Sequence, residues 1–163
     1  MSAPVVAEGN VDWNGVDSIR AAVPARFADP VAWLVARSVG AALAAAPAEA
    51  TANPDEVGVI LVSAHCTSGT LAAVAEATKS GRLSPMRFAA ASPGTAGSIS
   101  CIVHGFRGPS LTLATAPAIG LAAAQVVARG WLTAGAARYV VLSSHTVDED
   151  GRHAVHSTIF GAR

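Results

Sequence analysis

Charge is scarce in this sequence. Only 13% of its 163 residues are Asp, Glu, Lys or Arg, about half the usual share of a soluble domain, which leaves less polar surface than a lone monomer normally carries. That scarcity predicts a face covered by another protein. Neither sign dominates what charge there is, since Lys+Arg 11 stands against Asp+Glu 11 for a formal net charge of +0. Without a basic field the chain has no electrostatic means of gathering nucleic acid or anionic lipid. Long hydrophobic runs are missing too, because Arg, Asp, Gly or Pro interrupts each apolar stretch well short of the ~20 residues that span a bilayer. No membrane partner is expected. Residues Met1 to Asp12 include Glu8 and Asp12 but no basic stretch leading into an apolar one, so they do not read as a signal peptide, and the expected location is cytoplasmic. The two cysteines, Cys66 and Cys101, are too few for a disulfide framework and form no C-x-x-C pair, which leaves them as reduced thiols. There is no G-x-S-x-G elbow for a serine hydrolase. The hydroxyl-rich Thr67-Ser-Gly-Thr70 lacks the lysine of a P-loop and reads as a helix cap.

What the chain does have is apolar content, 52% of residues with a mean hydropathy of +0.44, enough to bury a core and to exclude a disordered protein. No linker or repeat divides it, so residues 1–163 read as one domain. Asp29-Pro30 supplies an N-cap and a proline at the first helical position, and Val31, Leu34, Val35, Val39 and Leu43 follow at helical spacing to about Ala46. Val57 to Ser63 is short, β-branched and apolar on both faces, as a strand buried in a parallel sheet is. A crossover helix over Ser68–Thr78, a Ser/Pro/Gly-rich loop and a helix over Ala96–His104 closed by Gly105 come next. Ser110–Ala114 reads as a strand, Pro117 to about Arg129 as a helix, and Tyr139–Ser143 as a further buried strand. Asp150-Gly151 then turns the chain into the β-prone His153–Phe160. The alternation of strand and helix predicts a three-layer α/β/α domain, with a mostly parallel sheet of about five strands and a closing antiparallel hairpin.

One ordered stretch is more specific. Gly105-Phe-Arg-Gly-Pro-Ser-Leu-Thr-Leu-Ala-Thr-Ala-Pro-Ala-Ile-Gly120 resembles the nucleophile segment of β-ketoacyl synthases, G-L-R-G-P-S/N-x-T-V/L-x-T-A-C-A-S-G. Leu83-Ser-Pro-Met-Arg-Phe88 is similar to the family's R-x-S-P-x-x-F/I loop, and Ala96-Gly97 to its A-A-G helix. Val57–Gly69 and Gly130–Ser144 are similar to the strands on either side. The resemblance runs from about Val23 to Ser144. It implies the thiolase fold, in which two βαβαβαββ halves pack together, and a chain of this length accommodates the first half only. The two histidines that the family carries in its second half have no counterpart here.

In the resembling pattern the nucleophilic cysteine falls on Pro117, which offers no thiol and, lacking an N–H, no oxyanion-hole donor from that residue. The resemblance therefore implies loss of condensing activity. Proline at the first position of a helix is also structurally favoured in its own right. Displaced nucleophiles are conceivable: Cys66, beside His65 at a strand end where α/β sites form, and Cys101, one helical turn from His104. Small buried cysteines are the blander reading of both, and neighbours such as His65 and Cys66 face opposite ways along an extended segment. His145, His153 and His156 gather near Asp148, Glu149 and Asp150, but His153-x-x-His156 on a strand puts its rings on opposite faces, so no metal is expected there. No cofactor is expected either.

Four functions remain open: a non-catalytic ketosynthase-like subunit that partners a full-length ketosynthase, as a chain-length factor does; a self-associating protein holding an acyl or aromatic ligand; an acyl-transfer or hydrolytic enzyme using Cys66; and a decayed remnant without activity. The first also brings an acyl carrier protein into view as a partner. In the family the strand before the nucleophile pairs across a two-fold axis, so Ser110, Leu111, Thr112, Leu113 and Ala114 are interface candidates. Ile119, Leu121 and Val126 of the next helix form a second candidate surface.

Overall fold

The computed structural model describes residues 3–14 and 28–162; Val23, where the resemblance begins, lies outside them. Strand β1 (Val5–Asn14) comes first, followed by helix α1 (Pro30–Ala44), a short α2 (Glu49–Ala52) and a 3₁₀ turn (Pro54–Glu56). The remaining elements are β2 (Val57–Ser63), α3 (Ser68–Lys79), α4 (Pro85–Ala90), α5 (Thr95–His104), β3 (Ser110–Leu113), α6 (Pro117–Thr133), β4 (Tyr139–Val147) and β5 (Arg152–Gly161). Short helices and turns apart, the order is βαβααβαββ, the βαβαβαββ half-fold that the family resemblance implied with both α3 and α5 in the second crossover.

The five strands form one sheet in the order β1-β5-β4-β2-β3. Strand β2 lies between β3 and β4 and pairs with both in parallel, Val59 opposite Ser110 and Val57 opposite Tyr139. Its seven residues are all buried, the pattern read from its unbroken run of apolar side chains. The hairpin at Asp150-Gly151 also forms, with Gly151 at φ 76° and Asp148 Oδ1 accepting the N–H groups of Asp150 and Arg152. Three features differ from the sequence reading. The segment over Val5–Asn14 is a strand, paired antiparallel with β5 from Val5–Phe160 to Asn14–Arg152. Its alternation is interrupted by Gly9 and by a register shift between Val5 and Ala7, which hides the period of two. The sheet is consequently mixed rather than mostly parallel, because the two antiparallel ladders that β5 makes are the longest in it. The Ser/Pro/Gly-rich loop expected before the Ala96–His104 helix also contains α4, which starts at Pro85 with Ser84 Oγ accepting the Arg87 N–H.

Alternation along the strands sends side chains to two cores. On one face Val57, Val59, Leu61, Val141, Val155 and Ile159 meet α1 through Leu34, Val35 and Val39, with Ala96 of α5. On the other, Ile60, Val62, Val140 and Leu142 meet Ala124 and Ala128 of α6. Each aliphatic side chain fully removed from water contributes about 1.5–3 kcal/mol. Helix α6 approaches so closely that a Cβ on Gly120 would stand 2.6 Å from Thr115 Cγ2 and 2.7 Å from Val62 Cγ1, which only glycine tolerates. Helix α1 begins as its sequence predicts: Asp29 caps it, Oδ1 accepting the Val31 N–H at 2.9 Å. Its Oδ2 accepts the Thr70 N–H at 3.0 Å, which ties the start of α1 to the first turn of α3.

Candidate functional site

The C-terminal ends of β2, β3 and β4 share one edge of the sheet, where ligand sites of open α/β folds form. Two groups of sequence-predicted residues arrive there on opposite faces. On the α6 face, β3 ends at Leu113 and Pro117 occupies the first turn of α6, with Ala116 extended before it (φ −60°, ψ 139°) and no side chain capping the helix. The fixed φ of proline suits that turn. Whatever chemistry the position carries elsewhere, here it offers neither a thiol nor an N–H.

On the α1 face stand Ser63, His65, Cys66, His145 and His153. Cys66 has φ 41°, in the left-handed region that β-carbon-bearing residues avoid. The turn is pinned by Ser63, whose Oγ accepts the Cys66 N–H at 2.8 Å and whose carbonyl accepts the Cys66 thiol at 3.0 Å. Cys66 is 4% exposed, and burial pushes its thiol pKa up, the reverse of what a nucleophile needs. His65, next to it, is exposed, so the two face apart as expected. Cys101 and His104 do not form a pair either. Cys101 packs against the α1-side core with its thiol pKa raised by burial, while His104 Nε2–H donates to the Ala36 carbonyl at 2.9 Å and its ring stacks on Phe106.

The histidines regroup in a way the sequence did not suggest. His156 turns away toward Asn10, Glu8 and Thr158, confirming that it and His153 occupy opposite faces. His145 and His153 stack with ring centroids 5.1 Å apart, and His65 from the β2–α3 loop stands edge-on to both, at 6.1 and 6.5 Å. Parallel register brings them together: Ser63 lies opposite His145 on the neighbouring strand. Ser63 Oγ, besides accepting from Cys66, is hydrogen-bonded to His145 Nδ1 at 2.8 Å. His145 Nε2 and His153 Nδ1 are hydrogen-bonded at 2.9 Å, so the chain of partners runs from Ser63 to His153; Trp33 Nε1 and Ser100 Oγ, elsewhere, are buried without a partner. Burial, with His153 and His65 close by, lowers the His145 pKa to about 3. Burial lowers that of His153 as well, opposed by the Asp29 and Asp148 carboxylates. Both imidazoles are therefore neutral at pH 7. Among the described residues no three His, Cys, Asp or Glu side chains stand ready around a metal position. His153 also borders a cavity of about 280 Å³ lined by Trp13, Thr146, Asp148 and Arg152 among others.

The proposed interface residues divide by position. Strand β3 is an edge strand, Ser110 and Ala114 are exposed, and Leu111, Thr112 and Leu113 are half-buried. Leu111, Leu113 and Leu121 are partly buried and pack against the α6-side core. Ile119 and Val126 are 73% and 58% exposed on α6. A second apolar surface that sequence reading missed combines Leu71, Met86, Phe88, Ile102 and Val103 from α3, α4 and α5. No helix among the described residues is long and apolar enough to cross a membrane.

Comparison with known proteins agrees with this architecture. The model of the β-ketoacyl synthase N-terminal domain matches residues 12–148. Among solved structures, the chain is similar to the ishigamide ketosynthase/chain length factor (TM-score 0.69, 15% identity, 98% of this chain and 62% of that one). It is similar to a Xenorhabdus doucetiae structure of the ketosynthase ApeO in complex with its chain length factor ApeC (0.67, 11%, 99% and 79%). A type II polyketide synthase acyl-carrier protein in complex with its ketosynthase, AntDE:AntF, gives 0.71 at 13% identity, covering 100% and 64%. The chain thus spans less than two thirds of the first and third of these. Identities this low establish the fold alone. No curated protein sequence matches the chain.

Proposed function

The chain belongs to the β-ketoacyl synthase N-terminal domain family, and on that premise we propose that it is a non-catalytic, ketosynthase-like partner subunit, in the manner of a chain length factor, in polyketide or fatty-acid type biosynthesis. The observation that carries the reading is Pro117. It opens α6 directly after β3, where the family resemblance places the reactive cysteine, and it deletes nucleophile and oxyanion donor together. Neither other thiol compensates, because burial holds Cys66 and Cys101 protonated. An acyl-transfer role for Cys66 consequently finds no support in its surroundings.

The partner reading rests on the surfaces beside Pro117. Among the described residues β3 is an edge strand paired with β2, and α6 presents Ile119 and Val126 to solvent, an arrangement suited to strand addition and helix packing. A full-length ketosynthase is the proposed partner and an acyl carrier protein the proposed visitor, in the cytoplasm. A second copy of the chain is the alternative occupant, since an edge strand can pair with itself across a two-fold axis.

The test of the non-catalytic reading is incubation of the chain alone with acyl- and malonyl-carrier protein, followed by intact-mass analysis. No condensation product and no acyl adduct are expected. An adduct on Cys66, Cys101 or any other residue overturns it.

A further inference from the structure

The histidine group on the α1 face has no part in the partner reading, and the response of its hydrogen bonds to pH stands independently of that reading. We propose that Ser63, His145 and His153 form an acid-sensitive latch, which closes the C-terminal end of the sheet at neutral pH and loosens as the pH falls below about 6.5.

Geometry limits the charge this group holds. His145 Nε2 and His153 Nδ1 meet at 2.9 Å, a hydrogen bond in which one nitrogen carries the hydrogen and the other offers a lone pair. Two imidazolium rings, with hydrogen on all four nitrogens, would set two N–H groups against each other across that distance. The pair as folded therefore accepts one proton at most. With one added, His153 Nδ1–H donates to His145 Nε2, and His145 Nδ1–H donates to Ser63 Oγ at 2.8 Å. Ser63 Oγ accepts the Cys66 N–H as well, so both of its lone pairs are then in use. A second proton breaks the chain.

Neighbouring groups decide which ring charges first. Asp29, in the cap of α1, and Asp148, at the β4–β5 turn, favour a charged His153, while His65 from the β2–α3 loop disfavours it. His145 is 1% exposed and faces His153 and His65. The Cys66 thiol beside them is uncharged, because burial raises its pKa. Asp12 of β1 and Arg152 of β5 line the cavity that His153 borders. Burial outweighs the two carboxylates, so His153 charges below its ordinary range, and His145 stays neutral down to about 3.

In the unfolded chain both rings take up protons near pH 6.5. Below that pH the unfolded state binds at least one proton more than the folded state, so stability is complete above about pH 6.5 and falls as the pH drops. What gives way is a defined joint. Ser63 ends β2, its register partner His145 lies on β4, and His153 stands at the start of β5. Ser63 also pins Cys66 at φ 41°, a conformation that persists only while its surroundings hold it. Loss of the Ser63 contact frees the Cys66 turn together with the strand ends.

The experiment follows urea unfolding of the full chain at about pH 7.5 and about pH 5.5, above the range in which ordinary carboxylates titrate, with amide exchange of Cys66 measured at both. The folding equilibrium constant is expected to fall at least about tenfold between them, the consequence of one proton over one pH unit below the unfolded pKa. Protection of the Cys66 amide is expected to fall with it. His153→Asn, whose side-chain amide keeps a partner for His145 Nε2 without titrating, is expected to lose a smaller factor over the same interval. His156→Asn, on the opposite face, is expected to match the wild type. Nitrogen-15 NMR of the imidazoles reads the latch in the unaltered chain, with His145 neutral at the lower pH. A wild-type loss under about fivefold, an equal loss in His153→Asn, or a His145 imidazolium in the folded chain at the lower pH overturns the proposal.

Discussion

On the α1 face of the sheet the core is interrupted by buried serines and histidines that bond one another, whereas on the other face the part of the sheet beneath α6 is an apolar core. Ser38 of α1, Ser143 of β4 and Ser157 of β5 are wholly buried. Ser157 Oγ meets Ser143 Oγ and Ser38 Oγ at 2.8 Å each, and Ser38 also reaches the carbonyls of Gly9 and Val155. The Ser63–His145–His153 chain continues this polar seam to the strand ends. Across the sheet, the layer among the described residues is α6, whose inner side is Gly120, Ala124 and Ala128 and whose outer side carries Ile119 and Val126 into solvent. One face is finished within the chain by hydrogen bonds. The other is built from small residues and leaves large apolar side chains outside, the composition of a layer that packs on both sides.

Exchanging polarity between the faces gives the largest expected effects. Ser157→Ala removes the one hydroxyl to which Ser143 is bonded and should cost about 1–3 kcal/mol, read as a lower urea midpoint with an unchanged slope. Val62→Thr, nearly the same shape, buries a hydroxyl in the dry core under Gly120 and should cost a similar 1–3 kcal/mol. If either change is neutral, the faces are not as different as the geometry says. The smallest effect on stability separates fold from assembly. Ile119→Arg, at a site 73% exposed, should alter the unfolding free energy by less than about 0.5 kcal/mol while abolishing association with the partner. Leu113→Arg lacks this clarity because Leu113 packs against the α6-side core, so its loss of assembly would be mixed with loss of fold.

How much of this was legible depended on whether a feature is local. Strand β2 announced itself through seven consecutive residues suited to burial on both faces, and α1 through Asp29-Pro30 and the heptad of apolar positions after it. The β4–β5 hairpin followed from Asp150-Gly151. Strand β1 was not legible, because its partner lies about 150 residues away and its alternation is broken at Gly9, where α1 packs directly on the backbone. In the candidate site, Pro117 was legible because an ordered motif surrounds it. The histidine group was not, since His65 and His145 meet only through parallel register. A faint signal exists in hindsight: Ser63-Ala-His65 at the end of β2 and Ser143-Ser-His145 within the neighbouring parallel β4 repeat a serine and histidine two apart. Sequence reading instead grouped His156 with His145 and His153 by proximity, and strand alternation sends it to the other face.

The central claim, that the chain works by pairing rather than by condensation, is tested most directly by native mass spectrometry of the chain co-expressed with a full-length ketosynthase of its source organism. The account predicts a 1:1 complex that survives purification and is lost on Ile119→Arg. A chain that remains a monomer beside that ketosynthase at micromolar concentration contradicts it.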